Sequence, residues 1–233
     1  MAGAEPPSPM LGREQPARAD VAGHPRLHVM THPLAAILTT TLRDARTPVP
    51  AFGHCVQELA RGLLWETLAD VATAPVDVPG HSGVPVAGRI IAGDVALVVI
   101  LRAGLGMLPP ARELLPLAPV YQVGARRDEA TLAARIYYTN LPCAYDDVAR
   151  LLVLDPMLAT GGSASAVVRL LRPAYRGPIA FLGILGAPLG ARELLASDPD
   201  VDVYLAALDD HLDQRGFIVP GLGDAGDRLF GTE

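Results

Sequence analysis

The residue types best suited to chemistry crowd into nine positions, Asp155 to Ser163, reading D-P-M-L-A-T-G-G-S. Gly161 and Gly162 let the backbone curl tightly, and a helix beginning nearby turns unpaired N–H groups outward, an arrangement that holds phosphate. Thr160 and Ser163 add hydroxyl donors, and Asp155 is placed to accept hydrogen bonds from sugar hydroxyls. Taken singly, each of these residues fits an ordinary capped strand-to-helix turn. Together they point to a phosphorylated sugar. A Walker loop would need Gly-Lys-Ser/Thr and a dinucleotide fold Gly-x-Gly-x-x-Gly after a strand, and this stretch has neither.

The flanking sequence supplies the elements that must position this loop. Leu151, Leu152, Val153 and Leu154 form a short apolar run of the kind buried on both faces of a sheet. Ala164, Ala166, Val167, Val168, Leu170 and Leu171 recur at helical spacing, and Pro173 ends the helix by withholding a backbone donor. Val95–Leu101 predicts a second strand, followed by the loop Arg102 to Gly106 and a helix over Met107–Leu115. Val120–Gly124 predicts a third, running into Arg126, Arg127 and a polar stretch to Asn140; the whole segment Ala125–Pro142 reads as a mobile flap. Ile179–Gly186 and Val201–Leu208 predict two more strands, with Arg192–Ser197 helical between them.

Ahead of these, apolar stripes between His32 and Val71 predict packing helices broken at Pro48 and Pro50, and Pro75–Gly93 reads as a small β excursion outside the main sheet. The expected fold class is α/β, a parallel sheet flanked by helices on both faces. Residues 1–26, rich in Pro, Ala, Gly and Arg, read as a disordered extension without the apolar core of a signal peptide, and residues 27–233 as a single domain. The tail from Gly216 to Gly231 carries more glycine than packed structure alone would explain.

Composition removes several function classes. The chain has 233 residues, half of them hydrophobic, and a net charge of -6, which leaves no broad basic surface for nucleic acid or an anionic membrane. Its longest apolar run, Val95–Leu101, falls well short of the roughly 18 residues of a membrane helix. All 19 basic residues are Arg. Lys Schiff-base chemistry is thereby excluded, and Arg must grip any polyphosphate, which it does bidentately. Cys55 and Cys143 show no disulfide pattern, and His24, His28 and His32 fall four apart but Pro25 and Pro33 break the helix that would put them on one face, so a zinc site is not expected.

With D-P-M-L-A-T-G-G-S stand two further stretches, I-L-R-A-G-L-G-M from Ile100 and P-G-L-G-D-A-G-D from Pro220. From His32 to Thr232 the chain resembles the uracil phosphoribosyltransferases, members of the type I phosphoribosyltransferase class. The resemblance implies a hood formed by the C-terminal loop and attack of uracil N1 on 5-phosphoribosyl 1-diphosphate (PRPP), giving UMP and diphosphate. It assigns PRPP binding to Arg102, Arg127, Asp155, Pro156, Met157, Leu158, Ala159, Thr160, Gly161, Gly162, Ser163 and Asp224, and uracil binding to Ile218, Gly223, Asp224 and Ala225. Of these, Arg102, Arg127, Asp155 and Asp224 would stabilise the transition state and leaving group. Many relatives in the wider class have two adjacent acids where this chain has Asp155-Pro156, so Mg²⁺ is expected to arrive chiefly on PRPP, with no protein ligand assigned.

The resemblance further implies a cytoplasmic homo-oligomer, a dimer or larger, and GTP as an activator in some relatives. Arg126, Asn140, Phe217 and Trp65 depart from the family pattern, where Tyr, Lys, Tyr and Tyr are usual. They leave open a sister enzyme acting on a modified base, or a non-catalytic PRPP- or nucleotide-binding regulator.

Overall fold

Alternate residues of each central apolar run face opposite layers of core. Along Asp94–Leu101, for example, Val95, Leu97 and Val99 enter one buried cluster while Ala96, Val98 and Ile100 enter another. A strand covered on both faces has no polar side to show, which is why these runs lack a period of two. The structure, a computed structural model, describes residues 15–127 and 134–232.

In chain order the elements are α1 (Arg18–Ala22), β1 (Leu27–Val29), α2 (Pro33–Arg43), α3 (Val49–Thr67), β2 (Thr73–Pro79), β3 (Pro85–Ile91) and β4 (Asp94–Leu101). A 3₁₀ turn, Ala103–Met107, leads into α4 (Leu108–Leu114), followed by β5 (Val120–Arg127), β6 (Ala134–Thr139), β7 (Val148–Leu154) and β8 (Met157–Leu158). The chain continues through α5 (Gly162–Leu171), β9 (Ile179–Gly186), α6 (Pro188–Ser197), β10 (Val201–Leu208), β11 (His211–Leu212), β12 (Ile218–Val219) and α7 (Ala225–Phe230). The main sheet runs β1-β10-β9-β7-β4-β5-β6, with β8 extending β9. Every pairing in it is parallel except β5 with β6.

Helices α2, α3 and α7 close one face around Leu42, Phe52, Leu63 and Leu64, and α5 and α6 close the other around Val167, Val168, Ala191 and Leu194. Prolines at the first turns of α2, α3, α4 and α6 start those helices where a missing N–H costs nothing. β2 and β3 pair only with each other, forming the expected excursion, and the β11–β12 ribbon with α7 forms the expected hood over the sheet's carboxyl edge.

Three segments take a form that their sequence did not announce. Residues 1–14 of the expected extension lie outside the described residues, but residues 15–26 are packed onto the domain: the Gln15 side chain and Leu212 backbone exchange two hydrogen bonds, and Arg26 Nη1 donates to Asp198 and Val201 carbonyls. The flap is rooted in a hairpin, since β5 runs on to Arg127 and pairs with β6; residues 128–133 lie outside the described residues. The glycine-rich tail is ordered over Gly216–Thr232, with Ile218, Leu222 and Ala225 buried.

Candidate active site

The loop after β7 is fastened along its whole length. Asp155 donates its backbone N–H to Leu182 at 3.2 Å, and Pro156 accepts from both Ile184 and Leu185. β8 then zips onto β9, so the first half of the loop is an extra strand that no propensity signal in Pro156–Ala159 announced. The second half lies on α6. A Cβ added to Gly190 would stand 2.4 Å from the Ala159 carbonyl oxygen and 2.7 Å from that of Leu158, so only glycine lets helix and loop approach this closely. Gly161 has φ +79°, and its own Cβ would meet the Gly190 carbonyl at 2.7 Å. Beyond it α5 begins, with the Ser165 N–H reaching back to the Gly161 carbonyl. The first-turn N–H groups of α5, left without helical partners, open beside Thr160 and Ser163.

Asp155 stands at the floor of this loop. Burial pushes its carboxyl up to about 7, against a weak opposing hydrogen bond from the Met157 N–H at 3.4 Å. Asp155 is half-buried and lines a cleft. A donor pair arriving from there would favour the carboxylate.

Facing it, Gly216–Gly226 folds around fixed points. Asp224 caps α7, its Oδ1 accepting from the N–H groups of Gly226 at 2.8 Å and Asp227 at 3.0 Å. Arg228 reaches back from α7 to the carbonyls of Leu42, Leu222 and Asp44 while its guanidinium lies over the Phe52 ring. Arg43 and Asp209 together grip Gly221 from the other side.

Between the two loops lies a cleft of about 290 Å³. Of the residues singled out in the sequence, it is lined by Asp155, Met157, Leu158, Ala159, Thr160, Gly161, Gly162, Ser163, Ile218, Gly223, Asp224 and Ala225. Pro156 is not in the lining but buried beneath it. Arg102 stands outside the lining, its side chain 59% exposed and paired with Asp227 at 3.2 Å, though its neighbour Ala103 lines the cleft. Arg127 ends β5, and its side chain lies outside the described residues.

Ala103, Ala164, Gly216, Phe217 and Gly226 also line the wall, although the sequence reading assigned none of them to the site. It also missed Gly190, Arg43, Asp209 and Arg228, which act from behind the wall. Their only sequence signals were a glycine inside a helix and charges at element ends.

The cleft offers a row of backbone and hydroxyl donors at one end, a buried carboxyl in the middle and a backbone-rich, partly apolar wall at the other. That sequence of surfaces suits a phosphate, a ribose and a planar base in turn. Among the described residues no group of three or more His, Cys, Asp or Glu side chains could hold a metal ion. Asp155 and Asp224 offer hard oxygen atoms singly, which fits Mg²⁺ carried largely by its substrate's own oxygens.

A family profile described as uracil phosphoribosyltransferase matches residues 29–232. A uracil phosphoribosyltransferase of Roseiflexus castenholzii is 48% identical over 209 residues, covering 89% of this chain and 99% of the relative. One of Streptococcus sanguinis is 42% identical over 208 residues, again covering 89% and 99%. Among solved structures, a protein from Aquifex aeolicus superposes with a TM-score of 0.83 at 30% identity, over 89% of this chain and 99% of that one. An adenine phosphoribosyltransferase from Leishmania donovani superposes with a TM-score of 0.52 at 15% identity, over 83% and 87%, a likeness of fold alone.

Proposed function

The chain belongs to the uracil phosphoribosyltransferase family, and from that premise we propose how its cleft performs the family's reaction. The enzyme transfers the 5-phosphoribosyl group of PRPP to uracil in pyrimidine salvage. The bond from C1′ to the diphosphate oxygen breaks, a bond from C1′ to N1 forms, the N1 proton leaves, and UMP and diphosphate result.

The observation that carries the proposed site is the placement of the Asp155–Ser163 loop directly across one cleft from Gly216–Gly226. The 5′-phosphate is assigned to the N–H groups opening α5 and to the Thr160 and Ser163 hydroxyls. Asp155 is assigned to the ribose hydroxyls, where its carboxylate holds the ring while positive charge grows at C1′. Ile218, Gly223, Asp224 and Ala225 are assigned to uracil, read largely through backbone groups. Arg102 and Arg127 are assigned to the departing diphosphate, whose charge increases in the transition state.

Phosphoribosyltransferases use Mg²⁺ with PRPP; here the ion would enter on the substrate, and Asp155 and Asp224 are the cleft carboxylates that could add an oxygen ligand. When bound it neutralises diphosphate charge and so eases departure.

The same reading treats residues 27–233 as one catalytic domain. No helix among the described residues is long and apolar enough to cross a membrane, and a cytoplasmic location and GTP activation belong to the proposal. So does a homo-oligomer, for which exposed Leu34, Ile37 and Trp65 on α2 and α3 offer an apolar face. Incubation with PRPP, Mg²⁺ and a panel of bases tests the reading: UMP and diphosphate should form with uracil, and an inert mixture would refute it.

A further inference from the structure

The β5–β6 hairpin places Arg126 directly opposite Arg135, next to the pair Arg127 and Ala134. Residues so opposed share a face of the ladder, with Cβ atoms about 4.5–5.5 Å apart, and like charges there repel. Both arginines are exposed, and among the described residues neither forms an ion pair with an acid. A sheet edge gains nothing from such a pair in isolation.

Their position supplies a reason. Leu101 pairs with Gly124, so Arg102 leaves β4 alongside Ala125, one residue from Arg126. Ala125 and Ile136 pack into the core layer under α5 and α6, so alternation sends Arg126 and Arg135 out of the opposite face. That is the face carrying α7 and the Arg102–Asp227 bridge. Ala134, the neighbour of Arg135, has its Cβ 3.9 Å from where a Cβ on Gly162 would stand, so the hairpin also meets the start of α5. The register shifts between Gly124 and Ala125, the kind of bulge that re-aims side chains beside active sites.

We propose that Arg126 and Arg135 form a cross-strand clamp for the diphosphate of PRPP, with Arg135 a substrate-contacting residue of the reaction. The clamp rests on the reading of the site given above. Diphosphate presents several charged oxygens that two planar guanidinium forks can take bidentately, turning mutual repulsion of the cations into shared attraction.

Calorimetric titration of the full chain with Mg²⁺-pyrophosphate, PRPP and ribose 5-phosphate tests this. Arg135→Gln should weaken PRPP and pyrophosphate by about tenfold, the worth of one charge-assisted contact, and leave ribose 5-phosphate at parental affinity. Arg126→Gln should behave alike, and Arg135→Lys should recover only part of the loss. The variants should melt at or above the parent's temperature, since repulsion is relieved, which separates lost binding from lost folding. Parental pyrophosphate affinity in Arg135→Gln, or an equal loss for ribose 5-phosphate, overturns the clamp and leaves the site reading standing. A parent chain that binds neither PRPP nor ribose 5-phosphate overturns both.

Discussion

Arg43 and Asp209 meet in a two-pronged ion pair that joins the end of α2 to the end of β10, and each also holds Gly221. Nη1 of Arg43 donates to Asp209 Oδ2 at 2.8 Å and to the Gly221 carbonyl at 2.9 Å, while the Gly221 N–H donates to the same Oδ2 at 2.8 Å. The hydrogen bond to Asp209 raises the Arg43 pKa further, against an opposing effect of burial. Removing Arg43 strands a buried carboxylate, and Arg43→Ala should destabilise the fold by about 3 kcal/mol. Because Gly221 leads into Gly223–Ala225, the residues proposed to read the base, uracil KM should rise more than kcat falls. In a double-mutant cycle with Asp209→Asn, the second substitution should cost little, and simple additivity in chemical denaturation would contradict the coupling.

Asp227 holds Arg102 at the rim of the cleft, and the proposed function gives this arginine to the leaving diphosphate. Arg102→Ala should lower kcat/KM for PRPP by about 2–4 kcal/mol. Asp227→Asn, which frees the arginine without removing it, should cost much less. Steady-state kinetics on both variants distinguishes an arginine that acts on diphosphate from one that merely anchors α7.

Asp155 titrates about 7 in the folded chain, whereas an unfolded aspartate titrates near 4. Between those values the native state keeps the proton that the unfolded state has lost. Its contribution to stability is therefore full below about pH 4 and disappears as pH rises through about 7. Asp155→Asn should remove that slope and raise ligand-free stability at about pH 8 by about 1–3 kcal/mol, while lowering kcat/KM at least about tenfold. Ribose hydroxyls favour the carboxylate, so PRPP binding in the parent should tighten between about pH 6 and about pH 8, with proton release seen by calorimetry in two buffers.

Gly190 touches no part of the cleft, yet a methyl group there would collide with the carbonyls of Ala159 and Leu158. Gly190→Ala should displace the phosphate loop and raise PRPP KM by about tenfold or more, with uracil KM nearly unchanged. Equal changes in both constants would point instead to general loosening of α6.

In the proposed site, uracil would present O2, N3–H and O4 to the wall formed by Ile218 and Gly223–Ala225. Cytosine puts an amino group where O4 would accept, leaving buried partners unmatched. Competition assays should favour uracil by at least about 10²-fold.

The sheet and the phosphate loop were legible because their signals are local. Apolar runs of strand length and glycines beside hydroxyls are written in consecutive residues. The supports were not. Arg43 and Asp209 are 166 positions apart, and nothing in either neighbourhood names the other. β8 gives no local signal because two residues cannot show a period, and its backbone partners are β9 and Ala187 just beyond it. Asn140 stands where the family usually has Lys, and its Oδ1 accepts the Gln122 N–H at 2.6 Å, closing the base of the hairpin as a strand neighbour would. Residues 15–26 looked disordered because their few apolar side chains find partners only at the other end of the chain.

That last contact sets an order of events during synthesis. β1 lies at the edge of the sheet against β10, with Leu27 beside Val203 and Val29 beside Leu205, and Arg26 waits for carbonyls 172 and 175 positions away. A chain emerging from the ribosome carries β1 unpaired until β10 has been made. β1 is thus among the last strands secured, and until it docks β10 presents a raw edge to any passing strand.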